Sequence, residues 1–183
     1  YIGEGETVYY QLLDLYKEYR ASGKSRAEFL RAAASVPGIY VPSLYEVSYH
    51  GDGTIASFVP KYKDVPAQIE KQIVMEVTDT YYPKSPVVPF IKATQDRVVL
   101  EIQRGCIRGC RFCQAGMLYR PTRERALPML KEYASEMLKN TGHEEISLSS
   151  LSSSDYSQLE PLVDFLIEEC SKGGINISLP SLR

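Results

Sequence analysis

The chain has 183 residues, with 21 Lys or Arg against 23 Asp or Glu, a net charge of −2 and 4 Cys. With 44% hydrophobic and 24% charged residues, and roughly 70% of the unfolded surface open to burial at this length, it has the material for a true core. Intrinsic disorder, a collagen-like repeat and a disulfide scaffold are excluded. No apolar run approaches the roughly 20 residues of a membrane helix, and the near-neutral total carries no global nucleic-acid or membrane signal.

The opening Tyr1-Ile2-Gly3-Glu4-Gly5-Glu6 has neither an initiating Met nor a basic stretch. It is not a signal peptide and reads as the interior of a longer chain. Val8, Leu12, Leu15 and Tyr19 at helical spacing predict a helix over 7–21, stopped by Ser22-Gly23. A second helix is expected over 25–35, capped by Ser25 and ended by Pro37-Gly38. Residues 39–60, rich in Tyr, Val and Ser, read as a β-hairpin turning at Gly51-Asp52-Gly53. A further strand is expected over 71–77, then a connector punctuated by Pro83, Pro86 and Pro89.

After the connector the pattern changes. Strands are expected over 97–103, 145–150 and 175–179, with helices over 125–140, closed by Gly142, and 156–171, stopped by Gly173-Gly174. Strand, helix, strand, helix, strand is the signature of parallel βαβ units. The expected fold class is therefore α/β, with a smaller α+β region over 1–95 and βαβαβ units over 96–183. Three parallel strands make an incomplete sheet, so further units are expected beyond Arg183.

The chemistry concentrates in one window. Between Arg97 and Arg125 stand seven arginines (97, 104, 108, 111, 120, 123, 125) against Glu101 and Glu124. Cys106, Cys110 and Cys113 lie inside it as a C-x3-C-x2-C array directly after a predicted strand. Clustered thiols suit a reducing cytoplasm and a metal better than a disulfide framework. Thiolates are soft ligands that select iron–sulfur clusters or zinc. Three of them hold three irons of a 4Fe-4S cubane and leave the fourth open to substrate, whereas electron-transfer clusters normally take four. Gly105 and Gly109 let the backbone wrap around such a group, and the arginines favour the thiolate form. The alternative is a structural zinc knuckle with Cys170, His143 or His50 as fourth ligand. The array lacks the second C-x2-C pair usual in zinc sites, which favours iron–sulfur.

This array, with aromatic Phe112 before the last cysteine, resembles the radical S-adenosylmethionine (SAM) superfamily. The flanks Glu101-Ile102-Gln103-Arg104-Gly105-Cys106, Phe112-Cys113-Gln114-Ala115-Gly116 and Tyr119-Arg120-Pro121-Thr122-Arg123-Glu124-Arg125 are similar to the branch with an upstream cobalamin-binding-like domain. Gly3-Glu4-Gly5-Glu6 and Leu179-Pro180-Ser181-Leu182-Arg183 also resemble that branch. The resemblance implies a 4Fe-4S cluster on Cys106, Cys110 and Cys113, with the open iron chelating the amine and carboxylate of SAM. It implies reductive cleavage to a 5′-deoxyadenosyl radical, Phe112 near the adenine, and the start of a partial (β/α) barrel. Hydrogen abstraction, methyl transfer and methylthiolation all stay open, on a substrate that is RNA, protein or small molecule. A flavodoxin or ferredoxin is the expected reductant.

Where the family often carries Gly-Gly-Glu to hold the SAM amino group, this chain reads Ser149-Ser150-Leu151-Ser152-Ser153. Ser149 and Ser150 are thus the candidate SAM contacts, through hydroxyls and carbonyls. No Asp-x-His-x-x-Gly surrounds His50 or His143, so cobalamin enters only through a domain outside this chain. This span alone is expected to be inactive. Among lesser candidates, Arg104, Arg108 and Arg111 suit a carboxylate, phosphates or RNA, but cluster charge compensation or a solvated surface is the plainer reading. Cys170 reads as a small buried hydrophobe. An electron-carrying iron–sulfur module or a zinc-stabilised RNA-binding domain are the competing functions.

Overall fold

The computed structural model describes residues 1–77 and 82–182. The chain divides into two compact units, Tyr1–Val74 and Met75–Arg183.

In the first unit, α1 (Tyr9–Ser22) ends on Gly23 in the left-handed region, and α2 (Arg26–Ala33) begins with a reciprocal capping box between Ser25 and Glu28. Edge-on contacts of Tyr16 and Tyr19 with Phe29 join the two helices. The hairpin pairs β1 (Tyr45–Tyr49) with β2 (Ile55–Pro60), and Tyr45 stacks on Phe58 at 4.8 Å. Residues 39–41, assigned to the hairpin on composition, instead form a non-strand segment whose Ile39 and Val41 are core residues with Ala33, Leu44 and Val65.

The strand expected over 71–77 does not form. A single parallel bridge joins Gln72 to Gly3, and the Val74 amide donates to the Glu4 carboxylate rather than to a backbone carbonyl. The ladder therefore cannot propagate. Gly3, at φ 99°, is required there, because a Cβ would stand 2.1 Å from the Gln72 carbonyl oxygen.

The second unit is built on β3 (Val98–Glu101), β6 (Glu145–Ser149) and β7 (Asn176–Ser178), paired in parallel in the order β3-β6-β7. Strand order follows chain order without reversal. α4 (Leu127–Thr141) turns Leu130, Tyr133, Ala134, Met137 and Leu138 inward, and α5 (Leu159–Ser171) turns Leu162, Leu166 and Cys170 inward. Both stripes follow the helical period. α4 packs on β3 and on α5, and α5 on β7, so both helices cover one face of the sheet. Val98, Leu100, Ile146 and Leu148 meet them there, all essentially buried.

Alternation sends Val99, Glu101, Ser147, Ser149 and Ser178 to the opposite face. The register aligns Val99 with Ser147 and Ser178, and Glu101 with Ser149. Apart from Val99 that face is polar, unlike the double apolar burial of a doubly wound parallel sheet.

The expected strand over 97–103 breaks in two. After Ile102 the chain leaves the parallel sheet, and β4 (Gln103–Arg104) pairs antiparallel with β5 (Arg123–Glu124). The short helix α3 (Gln114–Leu118) lies between them. The connector belongs with this unit: Tyr82 stacks on Tyr133 at 4.4 Å and donates to the Val99 carbonyl. That contact explains why the division falls at Val74 rather than after residue 95.

Leu148→Ala removes a fully enclosed side chain at the centre of the sheet. We expect a loss of about 3 kcal/mol in the second unit, measured as a lowered urea midpoint with an unchanged slope.

Candidate functional site

The cysteine loop leaves the C-terminal end of β3 and is closed at its base by the β4–β5 pair, with Gln103 opposite Glu124 and Arg104 opposite Arg123. Gly105 makes this closure possible. Its φ is +81°, and a Cβ would lie 2.5 Å from the Tyr119 carbonyl oxygen and 2.7 Å from that of Pro121. Arg123, buried, donates to the same two carbonyls at 3.4 and 3.0 Å and holds the returning segment, which contains a cis Arg120-Pro121 bond.

Within the loop Cys106 is buried and Cys110 and Cys113 are half-buried, and all are free thiols. The Arg108 amide donates to Cys106 Sγ, and the Gly116 amide to Cys113 Sγ, each at 3.4 Å. The Cys113 amide donates to the Cys110 carbonyl at 3.0 Å. The sulfurs are not drawn together: among the described residues no group of three or more His, Cys, Asp or Glu side chains is gathered closely enough to hold a metal ion. The donor set nevertheless fits an iron–sulfur cluster. Three free thiols stand on one loop, and amides already point at two of the sulfurs, as outer-shell donors to thiolate sulfur do. Phe112 is 91% exposed, and Ile107, Met117, Leu118 and Tyr119 of the same excursion are exposed as well.

The zinc alternative finds no assembled fourth ligand. Cys170 is a core residue at the end of α5, and α5 carries it to the sheet end opposite the cysteine loop. Burial, then Glu169, pushes its thiol up. His143 faces Asp96 at that same far end, and His50 belongs to the hairpin of the first unit.

Two charged arrangements support the loop. Glu101 accepts from Arg104 Nε at 2.9 Å and Arg125 Nη2 at 2.7 Å. Arg125 also lies over the Tyr82 ring at 4.6 Å, a cation–π contact. Burial alone raises the Glu101 carboxyl, but the two guanidinium groups outweigh it and hold the carboxyl below its ordinary value. In the second arrangement Arg108 forks onto Asp155, through Nε to Oδ2 at 2.8 Å and Nη2 to Oδ1. Asp155 comes first, and the Cys106 and Cys110 thiolates add to it, in raising the Arg108 guanidinium further.

The serine loop after β6 is closed on itself. The Ser150 hydroxyl meets that of Ser153 at 3.2 Å and accepts from the Ser152 amide, while the Ser149 carbonyl accepts from the Ile102 amide. Ser149 and Ser150 are half-buried, and Ser152 and Ser153 are fully buried. Both loops leave the same end of the parallel sheet, where ligand sites of open α/β sheets lie. Asp155, Gln103 and Tyr82 escape a reading of the sequence. The only signal available is a lone acid closing a serine run.

Two predictions follow from this geometry. Gly105→Ala should open the base of the loop, raising the labelling rate of the Cys106 thiol by about tenfold, by analogy with a local opening equilibrium. Because the Glu101 carboxyl is depressed, its contribution is complete above its ordinary value of 4.5 and is lost as pH falls through the lower folded value. Acid unfolding of Glu101→Gln should therefore show a shallower fall below that pH than the parent.

Comparison with known proteins adds a family signal at the other end of the chain. Residues 1–42 match the family described as "Radical SAM proteins, N-terminal". An uncharacterized protein of Methanocaldococcus jannaschii is 27% identical over 193 aligned positions, covering 97% of this chain and 42% of that protein. The chain thus spans less than half the length of this relative. No solved structure matches. The match over residues 1–42 supports a relationship between this chain and the radical SAM proteins.

Proposed function

We propose that this chain is part of a radical SAM iron–sulfur enzyme, with Cys106, Cys110 and Cys113 as the ligands of a 4Fe-4S cluster and residues 96–183 as the start of its partial barrel. The observation that carries the proposal is the position of three free thiols, in C-x3-C-x2-C spacing, on the loop at the C-terminal end of a parallel strand. The family match over residues 1–42 supports it from an independent stretch of sequence. A barrel is favoured by a strand order without reversal, helices on one face and a polar opposite face.

Cys106, Cys110 and Cys113 would hold the cluster, which would supply one-electron reductive cleavage of SAM. The chain's own residues prepare the setting. The Arg108 and Gly116 amides hold two sulfurs by N–H···S contacts. Arg108, beside Cys106 and Cys110, opposes the negative charge of the thiolates. Phe112, exposed and next in sequence to Cys113, is the candidate contact to the adenine. Ser149, the last residue of β6, and Ser150, just after it, are the candidate contacts to the SAM amino group. Substrate class and the step after hydrogen abstraction belong to the whole protein, as does any use of cobalamin. A reducing, cytoplasmic setting suits four free thiols, and no helix among the described residues is long and apolar enough to cross a membrane.

Anaerobic iron–sulfide reconstitution followed by EPR of the reduced protein tests this reading. A 4Fe-4S signal that changes shape when SAM is added, and vanishes in Cys110→Ala, is the expected result. One tightly bound zinc per chain and no iron uptake would overturn it.

A further inference from the structure

Arg108 is the hub of the spacer between the first two cysteines. Its amide donates to Cys106 Sγ at 3.4 Å, its carbonyl accepts from Arg120 Nη2 at 3.2 Å, and its side chain forks onto Asp155. One residue thus links the first sulfur, the returning strand segment and a second loop.

The partner is built to hold it. The Asp155 side chain is only 6% exposed, against 51% for Arg108, and also accepts from the Ser152 hydroxyl at 2.7 Å. Ser152 is fully buried, and its carbonyl accepts from buried Gln103 Nε2 at 2.6 Å. The Asp155 amide returns to the Ser152 carbonyl at 3.1 Å. Buried polar groups must be bonded, so these contacts leave the carboxylate little freedom to turn away. A bidentate guanidinium–carboxylate fork fixes orientation as well as distance. A lone exposed pair would carry little, but here one arm is anchored below the surface.

We infer that Asp155 is a positioning residue for the metal-binding loop: by holding Arg108 it sets the shape of the Cys106–Cys110 spacer and locks the loop after β6 to the loop after β3. The coupling of the two loops is a property of the fold. Its consequence for a metal rests on the function proposed above. The contact through which Asp155 reaches the spacer is its fork with Arg108.

Hydrogen exchange of the metal-free chain, followed by mass spectrometry, tests the coupling directly. Asp155→Asn should speed exchange by about five- to tenfold, an opening of local scale, both around residue 155 and across residues 106–113. Arg108→Ala should do the same across both loops. Because Arg108 is half exposed, this variant guards against an Asp155 variant that fails to fold. In the double variant the effect should fall well short of the sum, since both single variants remove the same fork. Acceleration confined to the mutated loop, or additive effects, would overturn the inference. A second arm measures iron release from the reconstituted protein to a chelator, which should be several-fold faster in Asp155→Asn and in Arg108→Ala, whereas Arg108→Lys, which keeps the charge but lacks the fork, should recover the parent rate only in part. Equal release rates in parent and variant would also count against it. If the parent takes up no iron, the proposed function fails while the exchange experiment still decides the coupling.

Discussion

The site depends on one small constraint, the two-residue pairing of Gln103-Arg104 with Arg123-Glu124. It brings together the two ends of an excursion that would otherwise be a long unsupported loop. A ladder of this length is weak alone, and the structure reinforces it from three sides. The Gly105 backbone lies against the Tyr119 and Pro121 carbonyls, Arg123 donates to the same carbonyls, and the Arg125 amide donates to the Ile102 carbonyl. Beneath it Glu101 accepts from both Arg104 and Arg125, while Tyr82 covers Arg125 and stacks on Tyr133 of α4. The charged cluster is thus continuous with the apolar core.

Long, strongly periodic segments were legible from the sequence because a single periodicity decides them. The inward stripes of α4 and α5, the apolar strands between them and the glycine-ended turns all appear where spacing places them. Short elements escaped for a physical reason. β4 and β5 have two residues each, too few for an alternation, and α3 exposes Met117 and Leu118, so it carries no inward stripe. Residues 71–77 have strand-like composition, but a strand needs a ladder partner, and only Gly3 serves. The three cysteines were legible because their spacing is local. Asp155 was not, because its partner lies 47 residues away.

The arginine run shows how far composition misleads when read as a patch. Arg97 meets Glu145, Arg104 and Arg125 share Glu101, and Arg108 holds Asp155. Arg120 and Arg123 donate to backbone carbonyls. Of the seven, six thus make internal contacts. Those contacts lie within the fold, and the ones made by Arg104, Arg108, Arg120, Arg123 and Arg125 gather around the base of the cysteine loop.

The distance in sequence between Arg108 and Asp155 also orders events during folding. Contacts of long sequence separation form only after the intervening chain has closed, and loop-closure entropy delays them. Until β6 has docked beside β3, nothing from the second loop can restrain the spacer between Cys106 and Cys110. A growing chain therefore displays its three thiols first on a slack segment and shapes them afterwards. The arrangement of the three thiols is thus a late product of sheet assembly, and a reagent that meets the loop finds a different target before and after that point.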